Sequence, residues 1–325
     1  MESRTLHIRR LPQFRRALLR WYEDNQRDLP WRRTRDPYRI WVSEIMLQQT
    51  RVAAVLPRYG KFLQRFPSAE KLASARLSSV LAEWSGLGYY RRARNLHAAA
   101  KLITRECEGI FPRHSDQWRK LPGIGRYTAA AIASIAFNEP IAVLDGNVER
   151  VLRRLLHCAT AADSWNASQE LLDREQPGDF NQAIMELGAT VCLPGEPACA
   201  RCPIRTFCGT RGRGELRNRK PVQVKAAVSY ALATKGDSVL LVQRGADKSL
   251  MSGMWELPTL NHSMCDHEVL FRVRHSITVT DYVVSVIAQS GMATESGEWI
   301  TRRKAHKLPL TGLTRKILRK ANFIQ

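Results

Sequence analysis

Leu121–Ile132 reads LPGIGRYTAAAI: a short apolar approach, a turn carrying Gly123 and Gly125, then an alanine-rich run of helical character. Two glycines in so tight a turn let the backbone approach a ligand closely, because neither residue has a Cβ. The helix that follows starts with unpaired N–H groups and the positive end of its dipole, which suits a phosphate oxygen. On this segment alone, a plain turn between two helices remains the competing reading.

The flanking sequence is helical on both sides. Apolar residues recur at helical intervals in Tyr38–Tyr59, Ser68–Trp84, Arg91–Arg105, Ser115–Leu121, Tyr127–Phe137, Asn147–His157 and Asp179–Cys192. The first twenty residues hold six arginines and one acid, superficially like a transit peptide. Leu11, Phe14, Leu18 and Trp21 nevertheless recur at helical spacing, so the segment reads as the first folded helix. Past Cys208 the texture changes: Arg211–Lys225 is rich in Gly and Arg without apolar period, and AAVSYALAT, SVLLVQR and SITVTDYVVSVIA are strand-like. The pattern predicts a mainly α domain over 1–210, a basic linker over 211–226 and a small α+β domain over 227–325.

Cys192, Cys199, Cys202 and Cys208 lie within seventeen positions, separated by six, two and five residues. Zinc fingers and ribbons bring two short hooks from separated turns. An iron–sulfur cubane takes four thiolates, often from one irregular run with a proline after a ligand, and Pro203 follows Cys202. The spacing favours a 4Fe-4S cluster over zinc. Cys107, Cys158 and Cys265 are isolated, which argues against disulfides and for a reducing compartment, expected to be a bacterial cytoplasm and its nucleoid.

Charge names the partner. The 325 residues carry 51 Lys and Arg against 30 Asp and Glu, a formal +21. No block of like charge stands apart as a tail, so the basic residues belong to folded surfaces attractive to polyanions. With this charge the glycine turn reads as a helix–hairpin–helix grip on a nucleic-acid backbone, weakened by salt. No run of eighteen apolar residues exists, and no membrane span is expected.

Two acids stand out. Glu44 sits among Val42, Ile45 and Met46 in an otherwise apolar helix; burial there would raise its pKa, as a general acid near neutral pH requires. Asp145 of LDGNV ends an apolar, strand-like stretch just before a helix, where it would serve as a cap or as a partner carboxylate.

SEIMLQQT, GLGYYRRARNL, LPGIGRYTA, LDGNVERVL, FNQAIMELG and the cysteine quartet together closely resemble the MutY family of adenine DNA glycosylases, in the helix–hairpin–helix superfamily of endonuclease III. The resemblance covers nearly the whole helical domain. It implies a monomeric base-excision enzyme acting on double-stranded DNA containing adenine opposite 8-oxoguanine or guanine. Glu44 would protonate the flipped adenine at N7, and Asp145 would stabilise the oxocarbenium-like sugar or form a transient adduct. Tyr127 and Asn147 match positions supporting the aspartate and the sugar. Leu29, Trp31, Arg32, Val52 and Gln182 match the adenine pocket. Gln49, Leu87 and Tyr89 match residues that enter the duplex, Tyr89 being preferred to Tyr90 on register. Lyases of the superfamily carry a lysine where this chain has Tyr127, which implies a glycosylase without strand cleavage.

The last domain resembles a Nudix-like lesion sensor without a catalytic acidic helix, and Asn261–Arg274 is short enough to suggest a trimmed helix. The family's Phe-Ser-His loop falls on Ile277, Thr278 and Val279. Thr278 keeps a hydroxyl but the histidine is gone, implying weaker preference for 8-oxoguanine. Between Cys192 and Cys199 the chain has LPGEPA without the usual basic residues; Arg201 and Arg205 stand nearby. Competing expectations are a mismatch glycosylase with relaxed opposite-base specificity, such as a T:G enzyme, and a non-catalytic iron–sulfur DNA-binding protein.

Overall fold

Phe14, Leu18, Leu19 and Tyr22 form one buried stripe, and the chain around them is the helix α1 (Leu11–Asn25). A computed structural model describes residues 10–212, 224–245, 251–260, 268–277, 280–289 and 297–324. Among these, α2 (Pro37–Leu47), α3 (Val52–Arg65), α4 (Ala69–Ala73), α5 (Leu77–Glu83), α6 (Arg91–Glu106), α7 (Ser115–Trp118), α8 (Arg126–Phe137), α9 (Gly146–Leu156), α10 (Ala161–Leu171) and α11 (Pro177–Thr190) follow. The mainly helical reading holds, with breaks that periodicity does not show. Tyr38–Tyr59 is not one run: α2 stops at Leu47, and Gln49 adopts φ 54° before α3 begins. Ser68–Trp84 likewise divides into α4 and α5. Helix α10 escaped the apolar pattern, yet Thr160 and Asp163 form its capping box, a signal present in the letters TAAD.

The chain resolves into two compact units. The first comprises residues 1–59, 68–70 and 98–218. Phe14 meets Phe180 of α11 and Phe207, while Trp41 and Trp118 pack at 5.7 Å. Gly178 and Gly188 let α11 lie close to its neighbours: a Cβ at either would fall 2.7 Å from Ser134 O or Asn147 Cβ respectively.

The second unit comprises 60–67, 71–97 and 219–325, so helical residues share it with the C-terminal strands. β1 (Val224–Leu232), β2 (Thr234–Lys235), β3 (Ser238–Gln243), β4 (Trp255–Glu256), β5 (Thr259–Leu260), β6 (Val269–Ile277), β7 (Thr280–Ala288) and β8 (Gly297–Thr301) precede α12 (Arg302–Ala305) and α13 (Gly312–Lys320). One sheet runs β5-β1-β7-β6 and the other β2-β3-β4, with β8 beside β3. β1 and β7 are parallel, in register Val224↔Thr280. Val239, Leu241, Val284, Val286 and Ile300 close a core with Ile317 and Leu318 of α13. SITVTDYVVSVIA is therefore no single strand but parts of the β6–β7 hairpin, where Ile277 pairs with Thr280. The trimmed helix expected over 261–274 is also corrected: 269–274 are strand β6, because alternation there serves a sheet, and 261–267 lie outside the described residues.

Candidate active site

Asp36 starts α2 by accepting from the backbone N–H groups of Tyr38 and Arg39, with Pro37 at the first helical position. The helix is buried from Tyr38 to Met46 apart from Arg39, and Glu44 is 7% exposed. Burial raises the Glu44 pKa to about 7; Tyr127 and Arg32 counteract this, and Asp145 adds to it. At neutral pH this carboxyl therefore holds its proton for a substantial part of the time.

Asp145 is the N-cap of α9. Its Oδ1 accepts from Val148 N at 2.7 Å, and its Oδ2 accepts from Asn147 Nδ2 at 3.1 Å. Burial raises its pKa, opposed by those same donors and by Arg150. The cap thus holds this carboxylate in a fixed orientation. The apolar stretch before Asp145 is not a strand. Its backbone is met by side chains instead: Asn181 accepts from Val143 N and donates to Ile141 O, Gln169 accepts from Ala142 N, and Ser168 donates to Val143 O. Those bonds fix where Asp145 emerges.

Tyr127, in the first turn of α8, lines the same cavity as Glu44, and its Oη donates to Met185 Sδ at 3.2 Å. Burial, then the two acids, keep the phenol neutral. Gly123 adopts φ 77°, and a Cβ on Gly125 would meet nothing within 4 Å. The hairpin turn needs Gly123 for its backbone, whereas Gly125 leaves open space before the helix.

Glu44, Asp145, Tyr127 and Asn147 all open on one cavity of ≈ 860 Å³. Leu29, Trp31, Arg32, Val52, Gln182 and Gln49 line the same space. Leu29 and Gln182, separated by 153 positions in the chain, meet there.

The four cysteines form no disulfide and line a second, small apolar cavity of ≈ 30 Å³. Cys202 is pushed up to about 11 by burial and by the proximity of Cys192, Cys208 and Cys199. Among the described residues no three His, Cys, Asp or Glu side chains cluster tightly enough to share one metal ion. Helix α9 reaches this loop through two arginines. Arg150 donates to Asn147 Oδ1, Gly188 O and Cys192 O at 2.7–2.8 Å. Arg154, 4% exposed, donates to Leu193 O and Gly195 O and lies 3.4 Å from Cys192 Sγ. A buried guanidinium with no carboxylate partner among the described residues suits an anionic thiolate centre, and a cubane that takes one thiolate on each iron does not need three donors around a single ion, so the four thiols fit such a group.

Residues 42–175 match the HhH-GPD superfamily base excision DNA repair protein family. Adenine DNA glycosylase of Buchnera aphidicola subsp. Baizongia pistaciae is 41% identical over 243 residues, 71% of this chain and 69% of that protein. The chain belongs to the adenine DNA glycosylase family. Its rat member is 38% identical over 311 residues, 76% of this chain but 60% of the relative, so the chain spans well under two thirds of that longer protein. A solved thermostable thymine-DNA glycosylase superposes with TM-score 0.59 at 28% identity, covering 63% of this chain and 98% of that one.

For this family member, the sequence missed Glu186 and Met185 on the cavity wall. Glu186 is 0% exposed and accepts from Arg27 and Arg32; an acid in the apolar helix run IMELG was the available signal. Leu87 and Tyr89 lie in the second compact unit. Arg92 donates to Leu87 O and Gly88 O, and its guanidinium lies 5.4 Å from the Tyr89 ring centroid. Tyr89 is 46% exposed while Tyr90 and Leu87 are buried, so Tyr89 is the side chain this loop presents. Thr278 lies outside the described residues.

Proposed function

We propose that the chain is a monofunctional glycosylase that binds double-stranded DNA, takes adenine opposite 8-oxoguanine or guanine out of the stack, and hydrolyses its glycosidic bond. The observation that carries this reading is the opening of Glu44 and Asp145 on one cavity with unlike surroundings. Glu44, buried and mostly protonated below about pH 7, is suited to give its proton to adenine N7. As the C1′–N9 bond breaks, its electron pair leaves with the base and positive charge grows on the sugar. Asp145, oriented by Asn147 and by the first turn of α9, is placed to stabilise that charge or to bond C1′ transiently until water replaces it. The relatives' names and the Glu44 environment support adenine over thymine, since a pyrimidine has no N7 to protonate.

Leu29, Trp31, Arg32, Val52 and Gln182 would enclose the base, and Gln49 would fill the space it leaves; Tyr89, in the other unit, is a further candidate for a DNA contact. Gly123 and Gly125 would admit a phosphate to the start of α8. Leu87, being buried, would enter the duplex only after its loop opens. The altered Ile277-Thr278-Val279 stretch points to weaker preference for 8-oxoguanine than is usual in the family. Single-turnover excision on duplexes pairing A with 8-oxoguanine, G or C, and T with G, tests the whole proposal. Loss of thymine instead of adenine would overturn it, and discrimination of about 10³-fold or more between 8-oxoguanine and G would remove the weakened-preference clause.

Tyr127 has no amine with which to form an imine. Borohydride added to the protein on abasic DNA is accordingly expected to leave no covalent complex beyond background; efficient trapping would contradict a monofunctional mechanism.

Cys192, Cys199, Cys202 and Cys208 would hold a 4Fe-4S cluster, which when bound cross-links the loop that Arg150 and Arg154 tie to α9. Cys202→Ser is expected to lower bound iron and sulfide several-fold and to reduce the thermal midpoint, measured by metal analysis and calorimetry. Zinc in place of iron in the native protein would refute the assignment.

A further inference from the structure

Between α5 and α6 the backbone turns through left-handed conformations. Gly86 and Gly88 adopt φ of 93° and 70°, which glycine tolerates, but Tyr89 adopts φ 47° with a full side chain. A left-handed tyrosine is disfavoured, so neighbouring contacts must hold it there.

Arg92, at the start of α6 and 9% exposed, makes those contacts. Its Nη2 donates to Leu87 O at 3.0 Å and to Gly88 O at 3.1 Å, bridging two successive carbonyls of the turn. Gly88 O also accepts from Trp84 Nε1 at 3.2 Å. The Arg92 guanidinium carbon lies 5.5 Å from the Trp84 ring centroid and 5.4 Å from that of Tyr89. Trp84, Leu87 and Tyr90 are buried, whereas Tyr89 is 46% exposed. One face of an outward-facing ring is thus taken by a buried cation.

The surroundings say what such a ring would meet. Between Glu83 and Glu106 the chain carries Arg91, Arg92, Arg94, Lys101 and Arg105 and no acid, which favours an anionic partner. An exposed aromatic on a fixed support among cations suits a nucleobase, whose flat face stacks on the ring while its phosphates meet the charge.

We propose that Arg92 is a positioning residue: by bridging Leu87 O and Gly88 O and backing the Tyr89 ring, it holds that ring ready to stack inside a duplex opened at the mispair. This rests on the duplex-binding part of the proposed function. Without the guanidinium, the ring must be ordered when DNA arrives, and that ordering is subtracted from the stacking it provides.

The test uses the full chain carrying Asp145→Asn, so that no base is lost, and a duplex with 2-aminopurine beside the mispaired adenine. Fluorescence at saturating protein reads the ratio of unstacked to stacked complex. Tyr89→Ala and Arg92→Met are each expected to lower this ratio by about fivefold or more, as loss of one stacked aromatic would. Adding Arg92→Met to Tyr89→Ala is expected to cost nothing further, because Arg92 acts through that ring. A merely structural arginine would add its own loss in the double variant, and that result overturns the proposal. Native unstacking in either single variant overturns it as well. Should Arg92→Met fail to fold, Arg92→Lys carries the same comparison: it keeps the charge but not the planar fork, and its loss must likewise vanish when Tyr89 is alanine. Unstacking that depends on both residues, in a protein that removes no adenine, would defeat the proposed function and leave this inference standing.

Discussion

Glu44→Gln is expected to slow single-turnover adenine excision by about 10³-fold, with duplex affinity kept within a few-fold. Glutamine fits the same buried slot beside Tyr127 but has no proton of suitable acidity to give N7, and general acids contribute roughly 10²–10⁴ in rate. The pH dependence follows with a definite sign. The working form of Glu44 is the protonated one, and burial places its pKa at about 7, so the native rate should fall as pH rises through that value. In Glu44→Gln this alkaline limb should vanish along with most of the activity. A variant retaining native rate, or a native enzyme whose rate climbs from pH 6 to 8, would remove Glu44 from the chemistry.

Asp145→Asn is expected to cost about 10³-fold in the same assay, which corresponds to about 4 kcal/mol of lost transition-state stabilisation. The substitution is well suited to separating chemistry from structure. Asparagine is as good an N-cap as aspartate, so the bond to Val148 N and the start of α9 should survive. What disappears is the negative charge facing the sugar, together with the bond from Asn147 Nδ2, which an amide nitrogen cannot accept. A thermal midpoint close to native together with near-abolished excision would assign the loss to charge; a fully active Asp145→Asn would leave this residue as a cap alone.

Both acids were legible in the sequence for a physical reason. An ionisable side chain inside an apolar helix, as at Glu44, and an aspartate one residue ahead of a helical pattern, as at Asp145, break the local rule strongly enough to be seen. The cysteine quartet was equally plain because its four thiols lie in one loop. Glu186 was harder to find. Its neighbours Arg27 and Arg32 are more than 150 positions away, and their ion pairs exist only once α11 has packed beside the Pro30–Arg32 turn. The break at Gln48–Arg51 was hidden for another reason: apolar spacing continues across it, and only the left-handed backbone of Gln49 reveals the turn. In the C-terminal region, antiparallel pairing with the next strand, β7, decided that 269–274 are strand rather than helix.

Gly188 touches neither a candidate base nor the cysteines, yet it widens the vulnerable area of the molecule. One added methyl would sit 2.7 Å from Asn147 Cβ and 3.0 Å from Asn147 O, pressing on the residue that steadies Asp145. Its own carbonyl receives Arg150, so the disturbance would reach the cysteine loop as well. A survey of harmful substitutions confined to the cavity wall would pass over this glycine, although it stands at the crossing of both.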